Sequence, residues 1–326
     1  MKNISILIPL GHTSLPNIDG THQIFTETNN LLVAMGRQPL FTMKLVGLEK
    51  ETSQRDGLFT IVPDALISDV KKTDLVIIPA IHGDLAEALE RNAAFIPWLR
   101  AQYKAGAELA SFCIGTFLLA ETGLLENKRC STHWKYASLF RQRYPGAVLT
   151  DDRIMTEDNG IYTSGGAYAY LNLVIYLVEK FAGREIAILI AKAFMIDMDK
   201  NSQSPFIIFE GQKMHGDEPV KKAQDYIESN FSERISVDSL CKMFSLSRRN
   251  FERRFKKATS NTVSEYIQRV KIEAAKKSFE NNRKNISEVM YDVGYSDNKA
   301  FRNVFRNVTG LSPIEYRKKY NREAAA

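Results

Sequence analysis

The sequence predicts an α/β domain, a mostly parallel sheet with helices on both faces, joined to an all-α C-terminal domain with two helix-turn-helix units. Three observations make that prediction. Over the first two-thirds of the chain, short apolar strand-like runs alternate with helical stretches. Over the last third, one basic helical pattern occurs twice, fifty residues apart. The charge is also divided: residues 1–216 carry 21 basic and 23 acidic side chains, whereas residues 217–326 carry 23 basic and 15 acidic. A net of −2 joined to a net of +8 points to a polyanion-binding module attached to something else, although lysine-rich surfaces also serve solubility alone.

Composition narrows the rest. At 326 residues the chain exceeds what one core usually supports, so two or three domains are expected. With 25% charged residues and Pro plus Gly at 28 of 326, it is neither disordered nor a fibrous repeat. The longest apolar runs, Leu171–Val178 and Ile186–Ile196, are too short to span a bilayer, and Lys192 interrupts the second. No signal peptide is expected: Ile4–Leu10 holds Pro9, has only Lys2 before it, and lacks a small-residue cleavage site. Cys113, Cys130 and Cys241 are odd in number and widely spaced, giving neither a disulfide framework nor paired zinc ligands. The expected location is cytoplasmic.

In chain order, strand-like runs fall at Ile4–Leu10, Phe41–Val46, Leu75–Pro79 and Glu108–Phe112, with helical stretches such as Gln23–Met35 and Leu85–Tyr103 between them. This alternation predicts a flavodoxin-like sheet covered on both faces, with any ligand at the carboxyl ends of the strands. One strand end stands out. Glu108–Phe112 runs into Cys113, and Ile114 to Ala120 begins a helix. The small residues Ser111 and Gly115 permit the sharp strand-to-helix turn of a nucleophile elbow. A cysteine beside a helix N-terminus is expected to favour thiolate, and the bland alternative is a small residue with an inert thiol. The candidate bases are His12, His22, His82 and His133, none local to Cys113; His82 follows the Leu75–Pro79 strand and so reaches the same sheet edge. No HExxH, CxxC, GxGxxG or P-loop occurs, so no metal and no nucleotide cofactor is expected.

Lys200–Pro219 has no sustained periodicity and is expected to be a linker, with Phe206–Phe209 docked. Beyond it, Val237, Leu240, Cys241 and Phe244 form a helical stripe opened by Ser236 as N-cap. Ser245-Leu246-Ser247 is the turn. In Arg248–Ser260, RRNFERRFKKATS, the side chains of Phe251, Phe255 and Ala258 fall within about 60° of one another, with Arg249, Arg253 and Lys256 nearly opposite. In Asn298–Gly310, NKAFRNVFRNVTG, Phe301, Phe305 and Val308 repeat the stripe, and Lys299, Asn303 and Arg306 repeat the outer face. Ile286–Val293 supplies the preceding helix. Between the units, Val263, Ile267, Val270 and Ala274 are at helical spacing, predicting a rod over about 262–281. The two units, about 236–259 and 286–309, could then enter successive major-groove segments of DNA.

The stretch from Ile235 to Tyr320, with its second-unit VGY…F…F…TGLSP…YR signature, resembles the AraC/XylS family of bacterial transcription regulators. The resemblance implies that Arg249, Glu252 and Arg253 face bases from the first reader, and Lys299 and Asn303 from the second. Arg302 and Arg306 would lie nearer phosphate, and Arg248 and Lys256 complete the expected DNA surface. Asn303 stands where the second unit commonly has Arg, which implies readout by that half that is either weaker or adenine-directed. Residues 3–198, with ILIPLG, DLVIIPAIHG, ASFCIGTFLLAETGLL and STHW, resemble the PfpI/ThiJ group of class I glutamine amidotransferase-like domains, and the whole chain resembles GlxA-type AraC regulators.

Cys113 would be that group's elbow cysteine. Three departures argue against catalysis: Asn17 stands where the enzymes carry an acid, Ile114 follows the cysteine, and Ala80-Ile81 replaces a glycine pair. The implied organisation is a sensor domain at 1–199, a linker at 200–219 and a DNA-binding domain at 220–326. The implied partners are double-stranded DNA, a small-molecule effector held near Cys113, Ile114, Asn17, His82 and His133, RNA polymerase, and a second copy of the chain. The rival reading is a cysteine-dependent hydrolase or amidase with a DNA-binding tether; oxidation of the thiol as a signal is a third.

Overall fold

The computed structural model describes residues 1–213, 215–281 and 284–321. It divides into two compact units, Met1–Gln203 and Ser204–Ala326.

The first unit is built on a seven-stranded sheet of β1 (Lys2–Ile8), β2 (Phe41–Gly47), β5 (Ala65–Leu66), β6 (Leu75–Ile78), β7 (Glu108–Phe112), β10 (Met155–Asp158) and β11 (Ile161–Ser164). Its order is β10-β11-β7-β6-β1-β2-β5, and every pairing is parallel except β10 with β11. Two small pairs stand apart, β3 (Thr52–Gln54) with β4 (Phe59–Ile61), and β8 (Arg129–Cys130) with β9 (Val148–Leu149). Strand alternation sorts the core into two layers. Ile4, Ile6, Ile8, Leu75, Ile77, Ala110 and Phe112 face α1 (Leu15–Ala34), α6 (Ala169–Ala182) and α7 (Arg184–Ala193). Leu7, Val76, Ile78 and Leu109 face the other layer, with α2 (Leu85–Arg91), α3 (Phe95–Lys104), α4 (Gly115–Glu121) and α5 (Ala137–Arg143).

Two helices differ from expectation. The first begins at Leu15, eight residues before Gln23, with Pro16 in its first turn. Gly20 on it packs so closely to Tyr170 that an added Cβ would lie 2.4 Å from the phenol oxygen. The stretch expected as one helix over Leu85–Tyr103 is two. It breaks at Asn92, whose side chain accepts from the Leu10 N–H at 2.8 Å and donates to the Leu10 carbonyl at 3.0 Å. That tertiary pairing satisfies the backbone following β1 and stops α2.

The second unit is all helical: α8 (Glu218–Ser229), α9 (Val237–Met243), α10 (Arg248–Thr259), α11 (Val263–Asn281), α12 (Ile286–Asp292), α13 (Asn298–Thr309) and α14 (Pro313–Tyr320). It holds two small cores. One joins α8, α9 and α10 to the start of α11; the other joins α12, α13 and α14 to its end. Ser204–Lys213, within the expected linker, packs on this unit. The Lys276 ammonium donates to the Ile207 carbonyl at 2.6 Å, the Phe209 N–H donates to Glu273, and the Phe209 ring meets Tyr266 edge-on. Residues 322–326 of the expected DNA-binding domain lie outside the described residues.

Candidate nucleic-acid interface and elbow pocket

Each recognition helix is set by the helix before it and by its own aromatic stripe. α9 and α12 open with reciprocal capping boxes, Ser236 with Ser239 and Asn285 with Glu288. Each ends in a tight turn with one left-handed residue, Ser245 at φ 54° and Gly294 at φ 74°. The next N–H closes that turn: Leu246 N to the Cys241 carbonyl and Tyr295 N to the Met290 carbonyl, both 3.0 Å. On α10, Phe251, Phe255 and Thr259 are buried; on α13, Phe301, Phe305 and Thr309 are buried at the same offsets. Thr259 and Thr309 each donate to the carbonyl four residues back, at 2.8 Å.

With those faces inward, the residues expected to meet DNA turn outward. Arg248, Arg249, Glu252, Arg253 and Lys256 on α10, and Lys299, Arg302, Asn303 and Arg306 on α13, are all exposed. Their side chains are not equally loose. Arg248 is held by Asp238 and Glu252, both at 3.1 Å, Arg253 donates to the Asn250 side chain at 3.1 Å, and Lys256 lies 3.7 Å from Glu265. Ser247 sits at the N-cap of α10 but makes no side-chain cap bond, whereas Asp297 caps α13 by accepting from the Ala300 N–H. Sequence reasoning passed over Arg254, which has a different task. It grips Asp217, the N-cap of α8, with two bonds of 2.8 Å, pinning the first reader to the helix before it. Those hydrogen bonds hold the Asp217 carboxyl below the usual carboxylate range.

In the first unit, Cys113 takes the elbow conformation, with φ 53°, a region non-glycine residues rarely occupy. Its N–H donates to the Ser164 carbonyl at 2.9 Å and its carbonyl accepts from the Thr132 hydroxyl at 2.8 Å, so two neighbouring segments hold the turn. Gly115 is required next to it, because a Cβ there would lie 2.5 Å from the Pro79 carbonyl oxygen. Of the two readings of this thiol, activated or inert, the burial of the side chain favours the inert one. Cys113 is 3% exposed, and burial pushes its thiol up to about 12, against a smaller downward pull from the Ile114 N–H. Desolvation outweighs that one hydrogen bond.

Asn17 is 1% exposed on α1; its side-chain carbonyl accepts from the Ala80 N–H at 3.1 Å, while its amide nitrogen has no partner among the described residues. Ile114 is buried at the N-cap of α4. His82 follows a bridge between Thr13 and Ile81, and its N–H donates to the His12 carbonyl at 2.8 Å. His133 follows the Thr132 that bonds Cys113, and its Nδ1 accepts from the Lys135 N–H at 3.1 Å. Burial lowers the pKa of both histidines. His12 also lowers that of His82, and Lys135 and His82 lower that of His133. His22 is elsewhere, exposed on α1 beside Thr26. Two surface grooves, one along Ile188 to Met198 and one beside Arg129 and Arg153, include none of these residues. Among the described residues no group of three or more His, Cys, Asp or Glu could hold a metal ion, and no helix is long and apolar enough to cross a membrane.

Comparison with known proteins matches both units. The DJ-1/PfpI family model matches residues 27–180, and a helix-turn-helix domain model matches residues 240–319. The HTH-type transcriptional regulator GbdR of Pseudomonas aeruginosa is 27% identical over 263 residues, covering 80% of this chain and 70% of that protein. An isonitrile hydratase of Pseudomonas putida is 27% identical over 128 residues, 39% of this chain and 54% of that enzyme. A crystal structure of a ThiJ/PfpI family protein from Pseudomonas syringae shares the fold, with a TM-score of 0.51 and 18% identity over 71% of this chain and 87% of that one.

Proposed function

We propose that in this chain, a DNA-binding transcription regulator that joins a DJ-1/PfpI family domain to an AraC-type helix-turn-helix domain, α10 and α13 read successive major-groove segments under the control of a small molecule bound by the first unit. The observation that carries the DNA-reading half is the duplicated arrangement of an outward cationic face opposite an inward Phe–Phe pair. Both copies are mounted on one helix of 19 residues, a rod of about 28 Å. That length is of the order of the roughly 34 Å between major-groove segments on one face of DNA. Arg249 and Arg253 suit guanine O6 and N7, Asn303 suits adenine, and Lys299 completes the second base-facing pair. Glu252 orients Arg248 and is the first reader's candidate acceptor for cytosine; Lys256, Arg302 and Arg306 meet phosphate.

For the first unit the reading is a binding pocket at the sheet's carboxyl edge, formed around Cys113, Ile114, Asn17, His82 and His133. The effector acts by favouring one conformation of the regulator by a few kcal/mol. A homodimer and contact with RNA polymerase belong to the same reading.

Similarity to an isonitrile hydratase and the elbow at Cys113 favour a second reading, a thiol-dependent enzyme. A buried thiol pushed up to about 12 and an amide at position 17 weigh against it. One experiment separates them. Iodoacetamide at pH 7.5 should label native Cys113 much more slowly than an unfolded control; rapid labelling together with isonitrile turnover would establish the enzyme. For the sensor, small-metabolite fractions are screened for those that raise the melting temperature of the whole protein. An active compound should also shift affinity for operator DNA, and Asn17→Leu should abolish both effects; a melting shift with unchanged DNA affinity would contradict the sensor reading.

A further inference from the structure

Two lysines are buried on α11, and they are satisfied in different ways. Lys276, 4% exposed, pairs with Glu273 at 2.7 Å. Lys271, 6% exposed, has no carboxylate partner among the described residues. Its ammonium donates only to backbone carbonyls: Val293 at 2.9 Å, Glu233 at 3.1 Å and Gly294 at 3.4 Å. Val293 is the C-cap of α12, where the helix's partial negative charge gathers. Glu233 lies in the connector between α8 and α9. One ammonium therefore ties together the rod, the connector into the first reader and the turn of the second.

The surrounding packing makes the same joint. An added Cβ on Gly294 would lie 2.2 Å from the Ser232 carbonyl oxygen and 2.6 Å from the Lys271 Nζ, so connector and turn meet backbone to backbone. Phe231 packs against both small cores, and the Lys271 ammonium sits 5.6 Å from the centre of the Tyr295 ring. A buried unpaired cation is costly unless its donors are met. Three carbonyls from two segments meet them only when those segments stand at one separation. Burial lowers the lysine's pKa, in keeping with a site that solvent does not relax.

We propose that Lys271 is a positioning residue that sets the spacing and helical phase of the two DNA half-sites without touching DNA. Sliding or rotating the second reader against the first pulls at least one carbonyl away and strands a buried ammonium proton. The protein thus discriminates between operators whose half-sites are identical but differ in separation by one base pair.

The test uses the full chain and duplexes that carry the two motifs selected by the wild type, with the spacer varied by one base pair at a time. Wild-type protein should prefer one spacer by tenfold or more over its neighbours. Lys271→Met should bind each isolated motif within about twofold of wild type while its preference among spacers falls below about threefold. Lys271→Arg, which keeps charge and donors on a longer arm, should keep a preference but move or broaden its optimum. An unchanged spacer profile in a folded Lys271→Met protein overturns the proposal, as does equal loss of binding to both isolated motifs. If Lys271→Met does not fold, Gly294→Ala, which wedges the joint while leaving the lysine in place, takes its part: a shifted optimum supports the proposal and an unchanged one overturns it.

Discussion

The two readers are built on one plan but stabilised differently. Both bury a Phe–Phe–Thr stripe at the same offsets and both close on a left-handed residue. The first keeps its cations busy with its own acceptors and anchors its recognition helix to α8 through Arg254 and Asp217. The second has Val304 in place of Arg254, a better N-cap in Asp297, and Lys299, Arg302 and Arg306 without ion pairs among the described residues. The shared features are the ones the plan requires. The aromatic stripe and the closing turn recur because the helix cannot pack without them. The outer face and the anchors vary, and they are where the two halves can recognise different DNA.

If the stripes are equivalent, removing one ring from each should cost alike. Phe255→Ala and Phe305→Ala should each destabilise the second unit by about 3–5 kcal/mol, read by urea denaturation followed by helical circular dichroism. A large loss for one and little for the other would break the parallel.

The left-handed closures differ in residue, Gly310 at φ 73° against Ser260 at φ 59°. Gly310→Ala should cost about 1 kcal/mol, because a Cβ is strained there. Ser260→Gly should be neutral or gain about 0.5 kcal/mol. The reverse signs would show that the closures are held by something other than backbone conformation.

The Arg254–Asp217 anchor gives the first reader an acid-sensitive pair at a position where the second carries Val304. Asp217 has its carboxyl pKa depressed in the folded protein. Its contribution is therefore present above the unfolded carboxylate value of about 4 and lost as pH falls through the folded one. Melting temperatures of wild type and Asp217→Asn should differ at pH 5 and converge toward pH 3. A constant gap would mean the pair is not what separates them.

Much of the second unit was legible because periodicity is local. The stripe offsets, the turn and the rod follow from residues within one or two helical turns of each other. Lys271 was not legible, since on α11 it reads as one lysine among several. Only the carbonyls of Glu233, Val293 and Gly294, 22 to 38 positions away in sequence, reveal its burial. The same holds for the first unit. Strand runs and the elbow at Cys113 were readable, whereas the break at Asn92 depends on Leu10 across the fold. The state of the thiol stayed open for a related reason: the turn beside a helix start is visible in sequence, but the desolvation that raises the thiol's pKa is a property of the packed site.

Selection of binding sites from randomised duplex DNA at two salt concentrations decides whether two readers act from one rod. Two readers on one rod should enrich a site with two different motifs about one helical turn apart. Affinity should fall with salt at a log–log slope of roughly −5 to −9, for about six to ten phosphate contacts. Arg253→Ala should relax one motif and Asn303→Ala the other, each by about 1–3 kcal/mol of base discrimination. Steep salt dependence with no enriched motif, or a single motif insensitive to Asn303→Ala, would contradict it.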